Sequence, residues 1–177
     1  NTLSPNEMYG NVSSDCLFLF DFGIKYRGLF SDCTITLKFS KYTKEEIYRI
    51  KKLEALQCKI AQNISAGKTV HNILKEVVSD LCLSDGEQIS RGFGHSVGAE
   101  IHENFSFVKG YKGQFKDKMI FTIEPEIIIK QNGNENNPRI QNRYIKKIYR
   151  IEYTYALLDG NVINFFSNIP IINEISV

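Results

Sequence analysis

The chain has 177 residues, of which 42% are hydrophobic and 24% are charged, and its formal net charge is +2. This length and composition are typical of one soluble globular domain with a sizeable core. The near-balanced charge does not favour a protein that binds nucleic acid or a membrane surface. Apolar runs such as Cys16 to Phe20 are far too short to span a bilayer.

The cysteines and the first ten residues indicate the cellular compartment of the protein. The four cysteines form no C-x-x-C pair, and Asn1 to Gly10 lacks the basic start and apolar stretch of a signal peptide. We therefore expect a cytoplasmic protein with reduced thiols. Cys33 follows Asp32, and because neighbours on a strand point to opposite faces, we expect its thiol to point away from that aspartate.

Two aspartates eleven positions apart, Asp21 and Asp32, flank a predicted turn. If Leu17 to Asp21 and Phe30 to Leu37 are strands joined by a turn centred on Tyr26-Arg27, the two aspartates lie directly opposite each other. The Cβ atoms of such a pair are about 4.5–5.5 Å apart, and like charges there are destabilising unless a cation lies between them. The alternative is a turn centred elsewhere, with both aspartates solvated.

Two amphipathic helices should follow this segment. Thr43 and Glu46 have the spacing of a capping box, and apolar residues then recur three and four apart up to about Asn63. A second helix is predicted from Thr69 to Leu83 on the same grounds. Before the helices, Ser31 to Phe39 alternates polar and apolar residues, which predicts a half-buried strand.

A glycine-rich segment from Gly92 to Glu103 carries two histidines, His95 and His102. Glycine at this density lets the backbone approach another group closely. The segment is not the H-E-x-x-H zinc motif, because Ser106 stands where the second histidine would be. A lone histidine is more often structural than functional, but two histidines in such a segment make a functional site a real alternative.

Two further predicted strands carry carboxylates. Met119 to Ile129 is predicted to be one strand with Glu124-Pro125 in its middle, and Ile145 to Leu158 another with Arg150 and Glu152. A carboxylate in so apolar a strand is costly to bury unless it is paired or binds a metal. Because proline has no N–H for the strand ladder, Pro125 indicates an edge or a bulge.

Five of these side chains suit a metal centre, namely four carboxylates and one imidazole: Asp21, Asp32, Glu124, Glu152 and His95. With a neutral histidine their formal charge of −4 is balanced by two divalent cations. An oxygen-rich set with one imidazole favours Mn²⁺, Co²⁺ or Fe²⁺ over a cysteine-rich structural zinc site. Two ions about 3.5–4 Å apart can activate a bridging water and polarise a carbonyl, which is the chemistry of hydrolysis.

Four motifs, in order along the chain, resemble those of a known family. They are Asp21-Phe22-Gly23 with Gly28 and Ser31-Asp32-Cys33-Thr34-Ile35-Thr36; Gly94-His95-Ser96-Val97-Gly98 with His102-Glu103; Phe121-Thr122-Ile123-Glu124-Pro125; and Arg150-Ile151-Glu152. These are similar to the D-x-G…G-Y-x-S-D-x-T-R-T, G-H-G-I-G…H-E, F-T-I-E-P-G and R-I-E-D stretches of the pita-bread metallopeptidases: methionine aminopeptidase, Xaa-Pro aminopeptidase and prolidase. The resemblance covers roughly Cys16 to Ile163, and the Arg-Ile-Glu motif favours the Xaa-Pro aminopeptidase and prolidase branch.

The resemblance implies a fold and a metal centre. The fold is α+β, a curved and mainly antiparallel sheet with helices on one face and the metal site on the other. Asp21 and Asp32 would hold one divalent ion, with His95 and Glu124 on the other. Asp32 and Glu152 would bridge both ions, for which Mn²⁺ is the first expectation and Co²⁺, Fe²⁺ or Zn²⁺ the alternatives.

The resemblance also implies an activity and catalytic roles. Glu124 would serve as general base or proton carrier, His102 would contact the substrate carbonyl, and Arg150 would support the carboxylate ligands. The expected enzyme is a metallo-aminopeptidase or dipeptidase that removes the N-terminal residue from peptides with proline second. We expect peptide substrates and neither nucleic acid nor membrane as partner, and the resemblance leaves a homodimer open.

The chain departs from the family pattern at four places. Thr34-Ile35-Thr36 replaces threonine-arginine-threonine, and Glu126 replaces the glycine after Glu-Pro and adds a charge near the site. The histidine that the proline branch has about seventeen residues before the first aspartate corresponds to Ser4 here. The family's catalytic domain has more chain before the first aspartate, so we expect residues 1–177 to be a single catalytic domain without its N-terminal portion.

Two other functions compete with this interpretation. Some pita-bread relatives are non-catalytic modules that bind peptides, proteins or nucleic acids, and these generally lose metal ligands, whereas this chain keeps all five. Methionine aminopeptidase would differ only in substrate and would cleave Met-Ala peptides.

Overall fold

The structure, a computed structural model, describes residues 15–79, 81–131, 145–169 and 173–174. In chain order the elements are β1 (Leu17–Phe22), β2 (Lys25–Tyr26), β3 (Leu29–Phe30), β4 (Cys33–Lys38), α1 (Lys44–Asn63), α2 (Val70–Val78), β5 (Glu87–Ile89), β6 (Gly92–His95), β7 (Ser106–Val108), β8 (Met119–Ile123), β9 (Glu126–Gln131), β10 (Ile145–Arg150), β11 (Tyr153–Leu158), β12 (Asn161–Asn164) and β13 (Asn173–Glu174). Within the described part of the chain, neither helix has the length and apolar character needed to cross a membrane.

The strands form three small sheets, ordered β1-β4-β13, β5-β9-β10 and β8-β11-β12, and two hairpins, β2-β3 and β6-β7. The pairings are antiparallel apart from that of β13 with β4. Single bridges, Thr34 to Glu152 and Ser96 to Phe121, connect the sheets. The main core packs apolar residues of α1 and α2 against β6, β7, β8 and β11. The predicted α+β fold with mainly antiparallel strands is confirmed.

The first predicted helix is present with the predicted ends. Thr43 is the N-cap of α1, and the hydroxyl of Thr43 and the side chain of Glu46 each accept a hydrogen bond from the other's backbone N–H. This capping box satisfies two N–H groups that the first helical turn cannot pair. Ile50, Leu53 and Ile60 of its apolar stripe are fully buried.

The second predicted helix is shorter than expected. Thr69 caps the N-terminus of α2 as predicted, but the helix ends at Val78 and not at Leu83. Ser79 follows directly, and its hydroxyl donates to the carbonyl of Glu76 at 3.2 Å. Such a local side-chain bond offers the backbone an alternative to continued helix, and the apolar periodicity did not reveal it.

The hairpin between β1 and β4 turns one residue later than predicted. The two residues between β2 and β3 are Arg27 and Gly28, with φ of 50° and 87°. Positive φ at both central residues defines a type I′ turn, and glycine adopts that conformation readily. Asp21 consequently pairs with Thr34 and not with Asp32. The expectation that the two aspartates lie directly opposite each other is therefore wrong.

Strand β4 is half-buried as predicted, but its more buried face is the polar one. Thr34, Thr36 and Lys38 are 0%, 0% and 4% exposed, whereas Ile35 and Leu37 are only partly buried. The hydroxyls of the two threonines and the ammonium of the lysine are hydrogen-bonded to neighbouring segments. Burial of these polar side chains is tolerated because each has a partner.

The two long strands expected in the second half of the chain are each broken in two. Glu124-Pro125 separates β8 from β9, and Ile151-Glu152 separates β10 from β11. The pair β8–β11 and the pair β9–β10 keep the same register across the break. Pro125 cannot donate to the ladder, and here it marks a kink at which the strand pair passes from one sheet to another.

Candidate metal centre

The hairpin places Asp21 and Asp32 on the same face. Asp21 lies opposite Thr34, two positions beyond Asp32, so the two aspartates are diagonal neighbours. Asp32 is 5% exposed and is fixed by its backbone, which exchanges hydrogen bonds with the hydroxyl of Thr154 at 3.0 and 2.7 Å. Cys33 belongs to the main core, so its thiol points away from Asp32, as predicted.

His95 reaches the same region from the end of β6. The preceding Gly94 has a φ of 146°, and a Cβ there would lie 2.1 Å from the carbonyl oxygen of Thr122. Only glycine permits this close approach, which also lets the His95 N–H donate to the Thr122 hydroxyl at 3.1 Å. His95 Nδ1 lies 3.2 Å from the carbonyl oxygen of Ser96. Because a carbonyl can only accept, Nδ1 carries the proton and Nε2 is the nitrogen available to a metal.

Glu124 and Glu152 come from the kink described above. The shared register puts the two residues opposite each other. Their backbones have left the strand ladder: the Glu124 N–H donates to Phe93, and the Glu152 N–H donates to Thr34, both at 2.9 Å. The kink thus ties the two glutamates to β6, which carries His95, and to β4, which follows Asp32.

All five predicted ligands converge. Three overlapping groups have ligand atoms within 4.8 Å of one another: Asp21 with Asp32 and Glu152, His95 with Glu124 and Glu152, and Asp32 with His95 and His102. His95 Nε2 lies 3.5 Å from Asp32 Oδ2 and 3.8 Å from Glu152 Oε1. Asp32 and Glu152 each belong to two of these groups, and they are the most buried of the four ligand carboxylates.

The two carboxylate oxygens of Glu152 differ in their surroundings. Its Oε2 accepts a hydrogen bond from the Thr34 hydroxyl at 2.5 Å. Its Oε1 is buried and has no hydrogen-bond partner among the described residues. A buried carboxylate oxygen without a partner is costly unless a cation takes that place. The donor set, four carboxylates and one imidazole, therefore fits divalent cations such as Mn²⁺.

The pKa shifts of the ligand side chains also indicate an excess of negative charge in the centre. Burial, reinforced by the charge of Glu124, raises the pKa of Glu152. Burial also raises the pKa of Glu124, although His95 and Arg150 oppose it. Burial alone would lower the pKa of His95, but the hydrogen bonds that the protonated ring donates to Asp32 and Ser96 outweigh burial, and the pKa is raised. These shifts reflect negative charges gathered in a poorly solvated site.

His102 lies beside the ligands on the exposed side of the centre. Its ring centroid is 4.2 Å from that of His95, with an interplanar angle of 46°. One of its nitrogens belongs to the group formed with Asp32 and His95. The side chain is exposed, so it is accessible to a molecule that approaches the centre from solvent.

Arg150 contacts the centre through Asp21, where Nη1 and Oδ2 are 3.5 Å apart. Its shorter contacts, at 2.7 and 3.1 Å, are with Oε2 of Glu126. The motifs showed that Glu126 adds a charge near the site, but not that this charge pairs with Arg150.

Sequence reasoning missed two supporting hydroxyls. The Thr34 hydroxyl donates a hydrogen bond to Oε2 of Glu152, and the Thr122 hydroxyl accepts one from the backbone N–H of His95. Both are fully buried. A buried threonine beside a ligand motif is a signal, but its partner lies far along the chain and becomes visible only in the fold.

Fold and site together define an α+β protein with a centre of carboxylates and histidine that suits divalent metal ions. The model of metallopeptidase family M24 matches residues 4–158, and the chain belongs to this family. It is 30% identical over 133 residues to an Xaa-Pro dipeptidase of Lactobacillus delbrueckii subsp. lactis. The matched stretch covers 73% of this chain and 33% of that protein.

Solved structures share the fold. The X-Pro aminopeptidase from Thermotoga maritima MSB8 superposes with a TM-score of 0.68 and 18% identity, over 90% of this chain and 42% of that one. The N-terminal domain of the FACT complex subunit SPT16 from Eremothecium gossypii superposes with a TM-score of 0.71 and 17% identity, over 92% of this chain and 37% of that one. The resemblance to the pita-bread family and its proline-peptidase branch is thus confirmed. The chain spans less than half the length of the curated relatives it matches.

Proposed function

We propose that this chain carries the centre of a dinuclear, metal-dependent peptide hydrolase that removes the N-terminal residue from peptides with proline second. The observation that carries the proposal is the convergence of five ligands from four separate segments, with a carboxylate oxygen at their middle that has no hydrogen-bond partner in the described part of the chain. Asp21 and Asp32 would hold one ion and His95 and Glu124 the other, with Asp32 and Glu152 shared between them.

Divalent ions bound there would supply a nucleophilic water and polarise the scissile carbonyl. Glu124, whose pKa is raised mainly by burial, takes a proton from the attacking water and delivers it to the departing amine. His102, exposed beside His95, donates a hydrogen bond to the carbonyl oxygen on which negative charge develops. Thr34 orients the Glu152 carboxylate toward the other ligands through the 2.5 Å hydrogen bond.

Proline in the second position is favoured by the Arg150-Ile151-Glu152 motif and by the relative described as an Xaa-Pro dipeptidase. Manganese is proposed from the donor set, because carboxylate oxygens with one imidazole suit Mn²⁺. Cytoplasmic location and a homodimer stay predictions.

The test begins with metal analysis of the protein after incubation with Mn²⁺ at known protein concentration. We expect close to two ions per chain, followed by hydrolysis of Xaa-Pro peptides. Met-Ala peptides and peptides without proline serve as controls for substrate class. A folded protein that binds no metal would overturn the proposal.

The competing function is a binding module without catalysis. The fold shared with the SPT16 domain bears on architecture alone at 17% identity, and the complete ligand set favours the enzyme. Tight peptide binding that survives removal of all metal, without turnover, would support the module instead.

A further inference from the structure

Glu126 forms a largely buried ion pair with Arg150. The two residues occupy opposite positions in β9 and β10. Arg150 donates from Nη2 at 2.7 Å and from Nε at 3.1 Å to the same oxygen, Oε2. The Glu126 side chain is 10% exposed and the Arg150 side chain is 27% exposed. A charge-assisted contact with this geometry and burial is stronger than a solvated surface pair.

The same guanidinium also reaches the metal centre. Arg150 Nη1 is 3.5 Å from Oδ2 of Asp21, a side chain that is 54% exposed. The contact with Glu126 is shorter and more buried, so Glu126 rather than Asp21 determines where the guanidinium lies. Glu126 and Arg150 line a cleft of about 160 Å³ together with the ligand Glu124, which places the pair at the edge of the centre.

Charge balance gives this pair a function. The four ligand carboxylates match two divalent cations, and a guanidinium beside them would weaken the attraction for those cations. We propose that Glu126 is a positioning residue that cancels the charge of Arg150, holds its guanidinium to a single long contact with Asp21, and so maintains the affinity of the centre for divalent cations. This inference rests on the proposed function.

The experiment is a calorimetric titration of Mn²⁺ into the full chain and its variants. Glu126→Gln keeps the size and an acceptor oxygen but removes the charge, and it should lower Mn²⁺ affinity about three- to ten-fold. Glu126→Asp keeps the charge and should retain affinity within about two-fold. The double variant Glu126→Gln with Arg150→Met leaves neither charge, and it should regain most of the affinity that Glu126→Gln loses.

A matched control separates this effect from a general loss of stability. Glu87 is another buried glutamate in the same sheet, paired with Arg49 and Lys52. Glu87→Gln should lower the thermal unfolding midpoint of the metal-free protein and leave Mn²⁺ affinity unchanged. If Glu126→Gln does not fold, the double variant carries the test: affinity within about two-fold of wild type supports charge cancellation, and a greater loss overturns it.

The outcomes also separate this inference from the proposed function. Wild-type protein that binds no Mn²⁺ overturns both. Wild-type protein that binds Mn²⁺ beside a Glu126→Gln variant of equal affinity overturns the role of Glu126 alone.

Discussion

Glu124 and Glu152 occupy opposing positions at one kink shared by two pairs of antiparallel strands. Neither residue pairs in the strand ladder at this point. The backbone N–H of Glu124 donates to the carbonyl of Phe93, and that of Glu152 donates to the carbonyl of Thr34. Two glutamates in such positions would repel each other at close range. Burial and then the repulsion raise the pKa of Glu152, and bound divalent cations would offset the buried negative charge. The kink is therefore the part of the fold that gathers the ligands.

His95→Ala should remove a metal ligand without changing the fold. We expect the bound Mn²⁺ to fall by about one ion per chain and hydrolysis of Xaa-Pro peptides to fall at least about 100-fold. The matched control is His71→Ala, because His71 lies exposed on α2 and should change neither quantity. Full metal content in the His95 variant would contradict the assignment.

Thr34→Val should weaken metal binding through Glu152. The variant removes the hydroxyl that donates to Oε2 at 2.5 Å, so the carboxylate loses its orienting partner. Loss of such a supporting bond typically lowers metal affinity about 10-fold. Thr34→Ser retains the hydroxyl and should restore wild-type affinity in the same titration. Equal losses in both variants would show that packing of the methyl group, and not the hydrogen bond, matters.

Gly94→Ala should destabilise the metal-free protein by about 2 kcal/mol or more, because the new Cβ would strike the Thr122 carbonyl at a φ that side chains rarely adopt. The Cβ of Gly92→Ala, in the same strand, would meet no atom of the described residues within 4 Å, so this variant should have little effect. Urea unfolding of both variants measures the difference. Similar free energies of unfolding for the two would contradict the close approach of β6 to Thr122.

Acid should destabilise the protein partly through Glu87. Burial raises its pKa, but hydrogen bonds from Ser84, Arg49 and Lys52 outweigh burial, so the folded pKa lies below the ordinary value of 4.5. A lowered folded pKa stabilises the fold above about pH 4.5, and this contribution is lost as the pH falls through the folded value.

Urea unfolding of metal-free protein between about pH 6 and about pH 3 measures the effect. Glu87→Gln should lose less stability over this range than wild type. Glu45→Gln, whose carboxylate is 81% exposed, should follow the wild-type curve. Parallel curves for wild type and Glu87→Gln would contradict the role of this buried network.

The sequence determined the local elements and the chemistry of the centre. The capping box at Thr43 and Glu46 and the apolar stripe behind it are short-range patterns, and they set α1 correctly. The four motifs contain each of the described histidines and carboxylates that converge on the centre. Residue type and spacing suffice for these because each depends on neighbours close in the chain.

Tertiary structure decided register, strand breaks and partners. The turn at Arg27-Gly28 lies one residue later than predicted and moves the partner of Asp21 by two residues, from Asp32 to Thr34, since a type I′ turn is selected by backbone twist and not by charge. The breaks after Ile123 and Arg150 arise because Glu124 and Glu152 exchange ladder bonds for contacts with distant segments. The pairing of Glu126 with Arg150 joins residues 24 positions apart. Such contacts depend on how whole strands align, which no local pattern encodes.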